Sequence, residues 1–331
     1  MRTHSFMALC LALGLSGWAQ ATTITVYSER KAQLIDPIFA EFTRETGIEV
    51  RTLVDQAPVL IERLAAEGEG TPADMLMTVD AGSLWQAGER GVLRELDSAS
   101  LKEAIPASLR DEQGRWFGLS LRARTIVYDK RVVKPEQLST LAALADPEWK
   151  GKLCLRSSKK IYNQSLVAMM LARDGEASTE SVVRGWVANL AAPPFADDML
   201  AIGAVAAGRC EVALVNSYYL GRMLDENPEL PVSIFWADQQ GTGVHVNISG
   251  AGITRHAKQA EAAQRLLEWL ASDKAQAKFA EVNFEYPANP RIPASSKVAG
   301  WGNFKPDQAP IAQAGQWQAE AVKLMDRAGW K

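Results

Sequence analysis

The chain has 331 residues, 47% of them hydrophobic and 23% charged, with a formal net charge of −3. That balance fits a globular protein long enough for two domains and excludes a disordered chain. No basic patch or stripe of the kind that nucleic acid requires stands out, nor does an internal repeat.

Residues 1–21, MRTHSFMALCLALGLSGWAQA, join a basic start at Arg2 to an apolar core from Phe6 to Leu15 and a small-residue exit at Ala19-Gln20-Ala21. This is the pattern of a cleavable secretory signal peptide, and its core is too short to span a bilayer. Cys10 follows Leu9, where a lipid-anchor site takes Gly or Ala, so it is read as part of the leader. The mature protein is expected to start near Thr22 and to be exported. Cys154 and Cys210 then remain, and an oxidising compartment favours a disulfide between them. Two buried free thiols are the alternative.

Along the mature chain, TITVYS (23–28) predicts a strand. The next segment carries Leu34, Ile38, Phe39 and Phe42 at helical spacing up to Gly47. Strands follow at 48–54 and 73–79, with helices at 57–68 and 81–91. This βαβα order predicts a largely parallel sheet with crossover helices, which places ligands at the carboxyl ends of its strands. WFGLSLRARTIVYDK (116–130) is longer than a typical strand and can pass from one domain into another. Helices are predicted near 135–146 and 163–173, and strands at 153–156 and 211–215. VHVNISGAGIT (244–254) is a second long extended stretch that can carry the chain back. Helices at 260–272 and 274–282 then precede EYPANP, whose prolines mark irregular chain. Two lobes joined by two extended crossings predict a hinged clamshell with a cleft between the lobes.

The usual catalytic signatures are absent: no G-x-S-x-G elbow, P-loop, G-x-G-x-x-G or H-E-x-x-H occurs. Beyond the leader only His245 and His256 remain, too few for the common histidine-based nucleophile or soft-metal sites. Tyrosine is the chemistry left. In CEVALVNSYYLGRML (210–224) a strand breaks into a helix at Asn216-Ser217 and sets Tyr218 and Tyr219 together in its first turn. Phenols lose their protons to a hard, highly charged cation, and the positive end of a helix favours the resulting anions. Packing at a cleft edge, with wet hydroxyls, is the other reading of the pair.

The segments ITVYSERK, TPADMLMTVDAG, GLSLRARTIVYD, EWKGKLCLRSS, YNQSLVA, VNSYYLGR and YPANP occur in that order. Together they resemble the periplasmic ferric-ion-binding proteins of bacterial ABC iron importers, the bacterial transferrins, over essentially the whole mature chain. The paired tyrosines together with YNQSL are the most specific part. The resemblance implies an α/β, type II periplasmic binding fold, a clamshell of two α/β lobes joined by two extended hinge strands. The lobes are expected at 22–122 with 247–290 and at 123–246 with 291–331, after the leader at 1–21. Also implied are a monomer located in the periplasm, an inner-membrane permease as partner, and a role that is binding rather than catalysis.

Carried over residue by residue, Tyr218 and Tyr219 match the family's adjacent tyrosine ligands to Fe3+. Tyr162 matches the extra tyrosine of a tyrosine-rich subset resembling cyanobacterial and Pasteurellaceae members. Arg122 matches an arginine beside the site, with Arg124 the second choice. Lys31 and Ala32 stand where many relatives have histidine or histidine-tyrosine, and Val79 where some have glutamate, so the first lobe is expected to lack direct ligands. Asp80 reads as a helix N-cap, and Tyr27 is not counted as a ligand. Three phenolates neutralise Fe3+ but fill half of an octahedral shell. Carbonate or bicarbonate as a synergistic anion is expected to chelate there, held by Arg122 and cradled by Ser157 and Ser158. The rivals are a type II periplasmic binding protein for another solute, such as a polyamine, thiamine, phosphonate or oxyanion, and a secreted hydrolase.

Overall fold

The computed structural model describes residues 22–331, so the leader reading lies outside the described residues. β1 (Thr23–Ser28), α1 (Ala32–Thr46), β2 (Glu49–Val54), α2 (Ala57–Glu67), β3 (Met75–Thr78) and α3 (Ala81–Glu89) follow the expected alternation. α1 buries Ile35, Ile38, Phe39 and Phe42, a three-four spacing that turns one stripe to the core. Gly47 ends it with φ 73°, donating its N–H to the Thr43 carbonyl, a conformation that a side chain would strain. Leu34, expected in the buried stripe, instead lines the cleft.

After α4 (Ala99–Ala104), β4 runs unbroken from Phe117 to Asp129. The helix predicted near 135–146 does not form. Short 3-10 turns stand there at Pro135–Gln137, Ala142–Ala145 and Pro147–Trp149. Leu138, Leu141 and Leu144 recur every third residue, the period of a 3-10 turn rather than of an α-helix, and all three are buried. The chain continues through β5 (Leu153–Cys154), α5 (Ile161–Asp174), α6 (Glu176–Ala188), α7 (Asp198–Ala206), β6 (Val212–Asn216), α8 (Ser217–Glu226) and β7 (Val232–Phe235). It ends with β8 (Val246–Ile253), α9 (Ala260–Leu270), α10 (Asp273–Asn283), β9 (Tyr286–Pro287), α11 (Ser296–Ala299), α12 (Gln313–Gln316) and α13 (Gln318–Arg327). Among the described residues, no helix is long and apolar enough to cross a membrane.

The strands order as β2-β1-β3-β8-β4-β6-β5, with β7 and β9 also on β4. The expectation of a largely parallel sheet is corrected to a mixed one. β1 is parallel to β2 and β3, and β5 to β6, but β8 is antiparallel to both β3 and β4. The two long strands are return crossings rather than βαβ units, which sets their direction. Between Ala123 and Arg124, β4 changes partner: Phe117–Ala123 pairs with β8 and Arg124–Tyr128 with β6. EYPANP, expected to be irregular, places Tyr286 and Pro287 on β4 opposite Leu121 and Ser120.

The apolar residues form separate clusters. Ile24, Val26, Phe39, Leu76, Ile248 and Leu266 belong to the largest. Beyond the partner change, Ile126 and Tyr128 face a second cluster with Leu166 and Trp186, while Val127 faces a third with Val205 and Leu220. That alternation is the period of two of a sheet buried on both faces. Fully burying each such side chain contributes roughly 1.5–3 kcal/mol. The C-terminal segment straddles the clusters, with Val298 and Ile311 in the first and Leu324 in the second. Cys154 and Cys210 are joined in a disulfide with their Cα atoms 5.9 Å apart.

Candidate metal centre

β6 passes into α8 without a loop, and Asn216, still extended at φ −77° and ψ 135°, occupies the N-cap position. Tyr218 and Tyr219 are therefore the second and third residues of the helix. Their ring centroids lie 4.3 Å apart, with the planes tilted by 39°. Tyr162 holds the equivalent place on α5, whose N-cap is Lys160. The three phenols thus gather at two helix N-termini, where unpaired N–H groups and the macrodipole favour negative charge. All three line one cleft of about 740 Å³.

Tyr162 and Tyr218 are almost fully buried, and each phenol influences the other's titration. Burial, followed by the charge of Tyr219, pushes the Tyr162 phenol up to about 12, although Arg122 pulls the other way. Burial and then Tyr162 hold Tyr218 well above the ordinary phenol value. Near neutral pH both are protonated, so any cation bound here must displace protons.

Cationic side chains ring the phenols. Over the Tyr162 ring, Lys160 Nζ lies 4.5 Å, Arg122 Cζ 5.4 Å and Arg156 Cζ 5.8 Å from the centroid. Arg222 Cζ lies 4.9 Å from the Tyr218 ring and 5.7 Å from that of Tyr219. Arg156 Nη1 also donates to Tyr219 Oη at 3.4 Å. Lys31 and Arg30 join them on the cleft wall, against the carboxylates Glu29, Asp55, Asp197 and Glu285. Arg30 and Glu285 cancel each other in a buried ion pair at 3.0 Å. Five cations then face three carboxylates, an excess of two positive charges. Among the described residues no cluster of three His, Cys, Asp or Glu can hold a metal. The phenols are the concentrated oxygen donors.

Tyr162, Tyr218, Tyr219 and Arg122 line the same cleft. Arg122 donates to the Val79 carbonyl and to Ser249 Oγ. Arg124 lies behind the tyrosine helix: it pairs with Asp198 at 3.0 Å and donates to Asn216 Oδ1, and Asn216 Nδ2 reaches Tyr218 Oη at 3.4 Å. Asp80 caps α3, with Oδ1 accepting from the Gly82 and Ser83 N–H groups. Tyr27 donates to Glu67 and does not line the cleft. Lys31 is exposed at the cleft wall, and Val79 lines it.

Ser157 and Ser158 are not brought to the phenols. Their N–H groups are taken by the carbonyls of Phe195 and Lys331, and they line a separate depression with Trp330. Sequence reasoning missed Glu29, Arg156, Lys160 and Arg222. The helical spacing from Tyr218 and Tyr219 to Arg222 is a signal that could have found the last.

A family profile of bacterial extracellular solute-binding proteins matches residues 38–306. The chain is 43% identical to iron uptake protein A1 of Synechocystis sp., over 93% of this chain and 87% of that protein. A Trichodesmium protein solved in complex with iron and citrate superposes with a TM-score of 0.90 at 43% identity, covering 93% of this chain and all of that one. Ferric iron-binding protein A of Mannheimia haemolytica, solved in an open conformation, gives 0.87 at 37% identity, over 94% of this chain and 99% of that one. The chain belongs to the bacterial extracellular solute-binding proteins, with the type II periplasmic binding fold.

Proposed function

We propose that this protein is the periplasmic solute-binding component of an ABC importer, binding Fe3+ through Tyr162, Tyr218 and Tyr219 and delivering it to a membrane permease. The observation that carries this reading is the gathering of three buried phenols at two helix N-termini inside one cleft. Relatives named for iron uptake and ferric-iron binding support it. The protein works as a monomer whose lobes, 22–122 with 247–290 and 123–246 with 291–331, hinge where β4 changes partner.

Three phenolates cancel the charge of the ion, and the cleft's excess of two positive charges suits a dianion. Carbonate fits that role, chelating two of the three remaining positions while Arg122, Arg156 and Lys160 balance it. The Trichodesmium relative was solved with citrate as well as iron, and a polycarboxylate suits the same cations. The cationic excess also favours a second reading, an organic anion without metal, as in a phosphonate binder.

A ferric titration in bicarbonate-free buffer and in buffer with added bicarbonate separates these readings. Iron binding gives an orange-to-red phenolate-to-iron band and a higher affinity with the anion present. A colourless protein that takes up no ferric iron near neutral pH fits the organic-anion reading. Equal affinity and spectra in both buffers remove the synergistic anion.

A further inference from the structure

Glu29 immediately follows β1, at the carboxyl end of a strand in the parallel part of the sheet, where such folds place their ligand groups. Its Oε2 accepts the N–H of Val79, the residue after neighbouring β3, at 3.0 Å. Arg122 donates to the carbonyl of that same Val79, and its guanidinium stacks over the Tyr162 ring. Contacts therefore lead from Glu29 through Val79 and Arg122 to the phenols on the opposite wall.

Among the described residues, Oε1 of Glu29 accepts no hydrogen bond and no Lys or Arg nitrogen lies within ion-pair distance. The other cleft carboxylates are committed or peripheral. Glu285 is paired with Arg30, Asp197 caps α7, and Asp55 is exposed with an oxygen on the Gln56 N–H. With one oxygen fixed on the Val79 N–H, the half-buried Glu29 carboxylate stands on the cleft wall with its other oxygen uncommitted, placed to receive a cation.

We propose that Glu29 is a direct oxygen ligand of the ferric ion, delivered from the first-lobe wall through Oε1 while Val79 holds Oε2. The proposal rests on the ferric reading above and completes it. Three phenolates and a bidentate anion leave one position of an octahedral shell, and Glu29 fills it. It also replaces the expectation that the first lobe has no direct ligand. Metal bound to both walls then drives closure, because the Glu29 bond exists only in the closed state.

The test compares wild type with Glu29→Gln and Glu29→Asp, using Fe3+ supplied as its nitrilotriacetate chelate and following the visible band. Glu29→Gln keeps an acceptor for the Val79 N–H and removes the anionic oxygen, while Glu29→Asp keeps the charge and withdraws it by one methylene. Melting of the iron-free proteins establishes that both variants are folded. As a ligand, Glu29 gives in Glu29→Gln an affinity loss exceeding the roughly 10–100-fold that an outer partner costs. The band also moves to longer wavelength, because a metal with one less anionic donor accepts phenolate electrons more readily. Glu29→Asp is also weakened. An unchanged band in Glu29→Gln overturns the proposal even if affinity drops, because that result describes a distant charge. A wild-type protein with no band at all defeats the ferric reading itself, whereas a normal wild-type band with an unaltered variant defeats only the role of Glu29.

Discussion

Asp80 Oδ2 accepts a hydrogen bond from Ser165 Oγ at 2.8 Å, tying the cap of α3 to α5, the helix that carries Tyr162 one turn earlier. The same oxygen accepts from Asn247 Nδ2 on β8, also at 2.8 Å. Asp80 is fully buried, and burial raises its carboxyl while Arg122, Ser165 and Asn247 lower it. One carboxylate thereby joins a first-lobe helix, a returning strand and a tyrosine-bearing helix.

Ser165→Ala removes a donor from that charge. Stability is expected to fall by about 1.5–3 kcal/mol, the range for hydrogen bonds to charged groups. Ferric affinity falls with it, because α5 is less firmly held against α3. Urea unfolding of the iron-free protein checks the first effect, and an unchanged midpoint would sink it.

The disulfide closes a separation of 56 residues and joins the start of the segment leading to Tyr162 to the start of the one leading to Tyr218. Replacing both cysteines by alanine is expected to cost about 2–4 kcal/mol, with the ferric band retained at reduced affinity. Thiol titration of the denatured, unreduced protein finds no free thiol; two reactive thiols refute the bond in the protein as produced.

His245 gives stability a pH dependence of determined sign. The imidazole is buried, its Nε2 has no partner, and burial first, then Arg124, Arg173 and Arg122, pull it down to about 3. Between that value and the ordinary one near 6.5, the unfolded chain holds a proton that the folded chain lacks. Stability therefore falls as pH drops through this window, by up to about 1.4 kcal/mol per unit. Asp238, whose carboxyl is raised by burial, opposes the trend from the same small cavity, so the comparison must be with a variant. The urea midpoint of iron-free wild type is expected to drop further than that of His245→Gln between about pH 7.5 and pH 5. Parallel pH profiles would exclude His245 as the cause.

The legible parts of this protein were those fixed by local pattern. Ile38, Phe39 and Phe42 announce α1 by spacing, Gly47 its end, and Asp80 the start of α3. Tyr218 and Tyr219 stand out because a strand running into a helix puts both in one turn. Strand direction was not legible, because β4 and β8 take theirs from crossings between distant parts of the chain. Glu29 comes to the phenols from the distant end of β1, so spacing along the chain says nothing of it. Arg156 and Lys160 lie just before Tyr162, and it is their turn toward the cleft that the sequence does not show. Ser157 and Ser158 sit beside Arg156 in sequence, yet their backbone is spent on Phe195 and the C-terminal Lys331. The Trp330 indole holds the Arg156 carbonyl from the same side, at 2.9 Å. Only the packed chain end reveals which neighbour faces the cleft.

Ferric-ion binding by phenolates is the heart of the proposed function. Its most direct test is a ferric titration of wild type, Tyr218→Phe, Tyr219→Phe and Tyr162→Phe that records the visible band and the protons released. Because Tyr162 and Tyr218 carry protons near neutral pH, metal binding must expel them, and affinity weakens as pH falls. Wild type is expected to bind one ion per chain with an orange-to-red band. Tyr218→Phe releases about one proton fewer per ion, since the missing phenol has none to give. Either paired variant loses most of the band and binds iron far more weakly, whereas Tyr162→Phe shifts the band and weakens binding less. If Tyr218→Phe and Tyr219→Phe both keep the wild-type spectrum and affinity, the metal is not held by these phenols.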